Sequence, residues 1–64
     1  MVTVNGSPAE GAGRLLLDFL RENGYDPARI AVERNGAILS RSRFGETWLD
    51  EGDALEIVQF VGGG

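Results

Sequence analysis

The 64-residue chain predicts an α+β domain: a small mixed sheet covered on one face by a single helix. Three observations predict it. Helical periodicity occurs once, from about Ala12 to the Asn23-Gly24 pair. Two further Asn-Gly pairs, Asn5-Gly6 and Asn35-Gly36, follow short alternating runs, as two-residue hairpin turns do. An apolar run over residues 54–61 supplies one more strand after the helix and the second hairpin.

Residues 1–4 alternate as Val2, Thr3 and Val4, a short strand that runs into Asn5-Gly6. Ser7-Pro8-Ala9-Glu10 has two readings, a capping box with proline at the first helical position or a poor return strand. Gly11 and Gly13 argue against helix this early, since each costs about 1 kcal/mol relative to alanine. The weak edge strand, where Pro8 is tolerable, is therefore favoured. At 100° per residue, Ala12, Leu15, Leu16, Phe19 and Leu20 form one stripe, with Leu17 at its edge. Arg14, Asp18, Arg21 and Glu22 lie opposite, Asn23-Gly24 ends the helix and Asp26-Pro27 prevents its resumption.

Residues 30–34 place Ile30 and Val32 against Ala31 and Glu33, and residues 37–40 return after the second turn. Residues 41–49 are irregular and carry Phe44, Trp48 and Leu49, a segment expected to wrap an edge of the core, with Phe44 and Trp48 closing its open side. Asp50-Glu51-Gly52-Asp53 reads as a solvated turn. In the last strand Leu55 and Ile57 share one face, Val58 and Phe60 the other. This strand can pair in parallel with the first, because the helix and loops between them provide the long crossover. The arrangement is a β-grasp, the ubiquitin-like fold.

Six arginines against ten acidic residues give a net charge of −4, which repels phosphate backbones and speaks against nucleic acid. No apolar run approaches the ~20 residues of a membrane span and no basic-then-apolar leader opens the sequence, so a cytoplasmic location is expected. With no Cys and no His, neither a Ser-His-Asp nor a Cys-His arrangement can be built. The acidic pairs Asp50/Glu51 and Asp53/Glu56 lie in or beside a polar turn, with no apolar pocket evident to tune them. Gly11 and Gly13 lack the further residues of a phosphate-binding loop, and no EF-hand spacing is present. No metal or cofactor is expected. The arginines are scattered, as on a solvated surface, although Arg41 and Arg43 could reach a partner.

Val32-Glu33-Arg34-Asn35-Gly36, Gly52-Asp53 followed by Leu55-Glu56-Ile57-Val58, and above all Phe60-Val61-Gly62-Gly63-Gly64 resemble the sulfur carrier protein family of thiamine biosynthesis. Arg41-Ser42-Arg43-Phe44 also sits where that family has a basic-then-aromatic segment. The resemblance covers roughly residues 15–64, whereas residues 6–13 are shorter than the family's second strand and loop. It implies a protein co-substrate rather than an enzyme. A ThiF-type adenylating enzyme, related to ubiquitin activators, would convert the terminal carboxylate to an acyl-adenylate. Sulfur from a cysteine-derived persulfide, supplied by a donor such as a cysteine desulfurase, would replace AMP, and a ThiG-type thiazole synthase would accept it. Sibling carriers for molybdopterin, cysteine or thiolated tRNA, and a noncovalent ubiquitin-like module with an inert tail, are the competing readings.

The chemistry suits the residues. A C-terminal carboxyl has a pKa of ~3.5, so at neutral pH it is an anion and a poor electrophile that must be activated from outside. Residues 62–64, read as a flexible tail on a domain of residues 1–61, would reach about 10 Å into an active site. Glycine has no Cβ to meet the channel walls. Gly64 would carry the thiocarboxylate, with Gly62 and Gly63 delivering it. Val58, Phe60 and Val61 are the expected partner-binding residues beside the tail. For Val58, cross-strand packing within the sheet is an equal reading. The absence of lysine suits an activated acyl group, and arginine bias in the genome would produce the same composition.

Overall fold

The two Asn-Gly pairs organise the sheet. Asn5 and Asn35 have φ of +50° and +52°, and Gly6 and Gly36 follow at +85°, the consecutive left-handed residues of a type I′ turn. In the computed structural model, which describes residues 1–60, they join β1 (Val2–Val4) to β2 (Ser7–Ala9) and β3 (Ile30–Arg34) to β4 (Ala37–Leu39). Between the hairpins lies α1 (Leu16–Glu22), and β5 (Ala54–Gln59) is the last strand. The weak edge strand favoured for residues 7–10 is present as β2, with Thr3 opposite Pro8.

The five strands are ordered β2-β1-β5-β3-β4. The final strand therefore takes the centre, parallel to β1 and antiparallel to β3, as expected of a β-grasp. Val2, Leu16, Phe19, Leu20, Ile30, Val32, Phe44, Leu49, Leu55 and Ile57 form the core between α1 and one face of the sheet. Each large side chain buried there contributes about 1.5–3 kcal/mol.

The helix begins later than its periodicity suggests. Ala12 is exposed and Leu15, half-buried, is the N-cap. The residues before it pair with residues 47–49 instead: Gly13 N–H donates to Leu49 O at 2.7 Å, Leu49 N–H to Arg14 O at 2.8 Å, and Leu16 N–H to Thr47 O at 2.7 Å. Residues 47–49 thus take the Leu16 N–H and the Arg14 carbonyl, which a longer helix would have paired internally, and give Gly13 N–H an acceptor that a helix start lacks; periodicity cannot register such a competitor. The other end follows its signal. Gly24 at φ +83° makes a Schellman closure, with Tyr25 N–H on Leu20 O at 3.0 Å and Gly24 N–H on Arg21 O at 3.1 Å.

Residues 41–49 do wrap the core, with a 3-10 turn at Arg41–Glu46 that buries Phe44. The expectation fails for Trp48, which is 61% exposed. Its neighbour Leu49 takes the buried place, because the strand-like pairing of Leu15 with Trp48 turns alternate side chains outward. Arg41 and Arg43 are engaged within the chain, Arg41 Nε on Pro27 O at 2.9 Å and Arg43 Nε on Glu46 Oε1 at 2.8 Å.

Gly11 is buried and requires its missing side chain: a Cβ there would stand 2.8 Å from Phe19 Cε1 and 3.0 Å from Val2 Cγ2. Both neighbours are core residues with no room to retreat. Gly11→Ala is expected to lower stability by about 1–3 kcal/mol, the usual cost of overpacking, in a chemical-denaturation midpoint measurement. Parental stability in that variant would show that the core yields at this point.

Candidate functional site

The last described strand, β5, is held from several sides. Besides its two flanking strands, it is gripped by the side chains of both turn asparagines. Asn5 Oδ1 accepts from Ile57 N–H at 2.7 Å while its Nδ2 donates to Ile57 O at 3.1 Å. Asn35 Oδ1 accepts from Ala54 N–H at 2.9 Å while its Nδ2 donates to Asp53 Oδ1 at 3.0 Å. A side-chain amide carries both a donor and an acceptor, so each residue extends a strand ladder beyond its backbone. The sequence marks these asparagines only as turn formers, and their second role depends on β5 lying between the hairpins.

The run Asp50-Glu51-Gly52-Asp53 is not simply a solvated turn. Asp53, only 5% exposed, is the hub of a buried network. Its Oδ2 accepts from Arg34 Nε at 2.9 Å and from Asp50 N–H at 2.9 Å, and Arg34 Nη2 lies 2.8 Å away. Burial acts to raise its pKa. The Asp50 N–H, the Asn35 amide and the Arg34 guanidinium together outweigh burial and hold the carboxyl below its ordinary value. Arg34 also reaches Asp50 Oδ2 at 3.0 Å and so does not belong to a solvated arginine surface. The network's bonds join the β3–β4 turn, Asp50 and the start of β5, an architectural role.

Along β5, Leu55 and Ile57 point into the core while Val58 and Phe60, 60% and 54% exposed, stand on the sheet face that α1 leaves uncovered. The strand itself ends at Gln59, short of the expected Val61, although Phe60 N–H still donates to Arg29 O at 2.8 Å. Val58 lies across from Ala31, too small to cover it. The open face also carries Ile38, and Glu33 directly opposite Glu56, all exposed. Sequence reasoning did not single out these three. Counting alternate positions outward from the Asn35-Gly36 turn would have placed Glu33 with Ile38, whereas Glu56 joins them only through the register of β3 against β5. Val61, Gly62, Gly63 and Gly64 lie outside the described residues.

An open depression of about 380 Å³ lies between the β1–β2 hairpin and the segment after α1, lined by Val4, Asn5, Ser7, Pro8, Ala9, Asn23 and Tyr25. With no charged side chain in its lining, it offers nothing to hold a nucleotide phosphate. Among the described residues no group of acidic side chains could hold a metal ion, and no helix is long and apolar enough to cross a membrane.

Comparison with known proteins bears on the same features. The ThiS family model matches residues 2–64. The sulfur carrier protein ThiS of Bacillus subtilis is 49% identical over 47 residues, spanning 73% of this chain and 71% of its own. A thiazole synthase of Magnetococcus marinus is 42% identical over 64 residues, 98% of this chain, which spans only 20% of that protein's length. The crystal structure of the thiamine biosynthesis protein ThiS from Geobacter metallireducens superposes with a TM-score of 0.73 at 35% identity, covering 98% of this chain and 97% of that one. The shared β-grasp, the central position of the last strand and a match extending through the glycine ending lead to one assignment: the chain belongs to the ThiS family.

Proposed function

We propose that this chain carries sulfur as a thiocarboxylate on Gly64 and donates it for thiazole ring formation. The observation that supports this best is structural. The strand leading to the glycines is the central one, clamped by Asn5 and Asn35, so the body is a stiff handle for whatever acts four residues beyond Phe60. The terminal carboxylate is an anion at neutral pH and a poor electrophile, so an outside enzyme activates it. An adenylating enzyme transfers AMP from ATP to the carboxylate and releases pyrophosphate. The outer sulfur of a persulfide generated by a cysteine desulfurase attacks the acyl carbon and expels AMP, giving an acyl disulfide. A thiol then attacks the desulfurase-derived sulfur of that S–S bond, leaves as the mixed disulfide and releases the thiocarboxylate. The thiocarboxylate is then the nucleophile offered to a thiazole synthase. Val58 and Phe60, with Val61 beside them, form the contact surface for these enzymes.

The reading is tested by incubating the chain with ATP, its cognate adenylating enzyme and a sulfur donor, and recording the intact mass. Replacement of one oxygen by sulfur adds ~16 Da to a carboxyl activated as in covalent catalysis. An unchanged mass, with every enzyme shown to be active on another carrier, refutes the carrier chemistry and leaves a noncovalent binding module.

A further inference from the structure

On the open face of the sheet, Glu33 and Glu56 are directly opposed across β3 and β5. The bonds from Asn35 N–H to Ala54 O and from Phe60 N–H to Arg29 O set the ladder's phase. Counting in steps of two from them makes Glu33 and Glu56 a hydrogen-bonded pair, with Cα atoms about 5.5 Å apart. Like charges in that position are destabilising, and neither residue enters an ion pair among the described residues. Arg29, in the same register four residues before Glu33, is occupied by Asp26 at 3.6 Å. The folded chain thus tolerates an uncompensated carboxylate pair beside the exposed apolar side chains of Ile38, Val58 and Phe60.

We propose that this face docks on a thiazole synthase that presents an apolar surface to Phe60 and Val58 and an arginine or lysine to the Glu33–Glu56 pair. The proposal rests on the carrier reading and specifies its recognition chemistry. Geometry supports it first. Residues 61–64 span at most about 14 Å, so an enzyme acting at Gly64 must come within that distance of Phe60, where this face begins. Along β5 the order away from Gly64 is Phe60, Val58, Glu56, which puts the cation site about 13 Å beyond the Phe60 contact at ~3.3 Å per residue. Charge supports it second. A second copy of this chain, with net charge −4 and the same acidic pair, is a poor occupant, and so are nucleic acid and an anionic lipid surface. The choice of enzyme follows from the Magnetococcus marinus thiazole synthase, in which a segment resembling this chain is part of the synthase polypeptide.

The experiment measures the affinity of the chain for the thiazole synthase of the same genome by titration calorimetry, alongside melting temperature and sulfur loading. Glu56→Lys replaces a repulsive cross-strand pair by an attractive one. It is expected to melt at or above the parental temperature while binding about tenfold more weakly, and Glu33→Lys/Glu56→Lys more weakly still. Glu33→Gln/Glu56→Gln keeps the shape and decides the matter should a lysine variant fail to fold, with an expected loss of about threefold or more. Affinities within twofold of the parent in the folded variants overturn the proposal, as does the absence of any complex with the parent chain. Failure of the parent chain to load sulfur is the separate result that refutes the carrier reading itself.

Discussion

Two alanines appended after Gly64 are expected to leave the fold intact and to abolish sulfur loading. A carboxylate oxygen attacks the α-phosphate of ATP, whereas in the extended chain the Gly64 carbonyl belongs to a backbone amide, which is neither anionic nor comparably nucleophilic. The effect is a loss of the ~16 Da increment rather than a slower rate, because no other carboxyl occupies the reactive position. Stability should stay within about 0.5 kcal/mol of the parent, as for other changes remote from the core. Intact-mass spectrometry before and after incubation checks both that the extension is still present and that no sulfur has entered. Normal loading of the uncleaved extension would place the acceptor elsewhere and remove Gly64 from the mechanism.

The second large effect concerns Asp53. At about 0.05–0.15 kcal/mol per residue, a chain of this length has a total stability of roughly 3–10 kcal/mol. Asp53→Ala leaves the Asp50 N–H and the Asn35 amide without their acceptor and removes the better-buried of the two carboxylates on Arg34. Removing one partner of a buried pair costs about 3 kcal/mol or more, a large share of that total. At about 4–8 °C per kcal/mol for a domain of this size, the melting temperature should fall by about 12 °C or more. A shift of only a few degrees would mean that Asp50 replaces Asp53 on the guanidinium.

Acid provides an independent check on the same group. The folded-state pKa of Asp53 is lower than its unfolded value, so the folded state binds this proton less readily than the unfolded chain does. The stability this carboxylate supplies is complete well above the unfolded pKa of ~3.9. It drains away as pH falls through that value toward the lower folded one. Asp53→Asn, which carries no titrating group, should show a flatter decline over that acidic window in parallel pH-dependent melting curves. Identical slopes for parent and variant would dissociate the network from the acid response.

Local chemistry determined most of the architecture. Type I′ turns need two residues at positive φ, and Asn-Gly is the pair that tolerates this, so both hairpins and their registers were legible from Asn5-Gly6 and Asn35-Gly36. Gly24 announced the helix end for the same reason. The outward placement of Val58 and Phe60 followed from the alternation of side chains in a strand whose inward positions are Leu55 and Ile57. The candidate reactive end was legible too, as a run of glycines after an apolar strand.

The tertiary structure decided what depends on residues distant in the chain. Whether residues 12–15 join the helix turned on hydrogen bonds from residues 47–49, which outbid one further helical turn. Trp48 turned outward while its neighbour Leu49 stayed buried because the bridge to Leu15 fixed the phase of their alternation. Asp53 became a buried hub only because Arg34 and Asn35 arrive from a turn 18–19 residues earlier. Glu33 and Glu56 are 23 positions apart in the sequence, and only the register of β3 against β5 sets their charges side by side. Turn chemistry and alternation act over a few residues and can be read directly. Pairing phase, burial of charge and the composition of a sheet face arise only when distant segments meet.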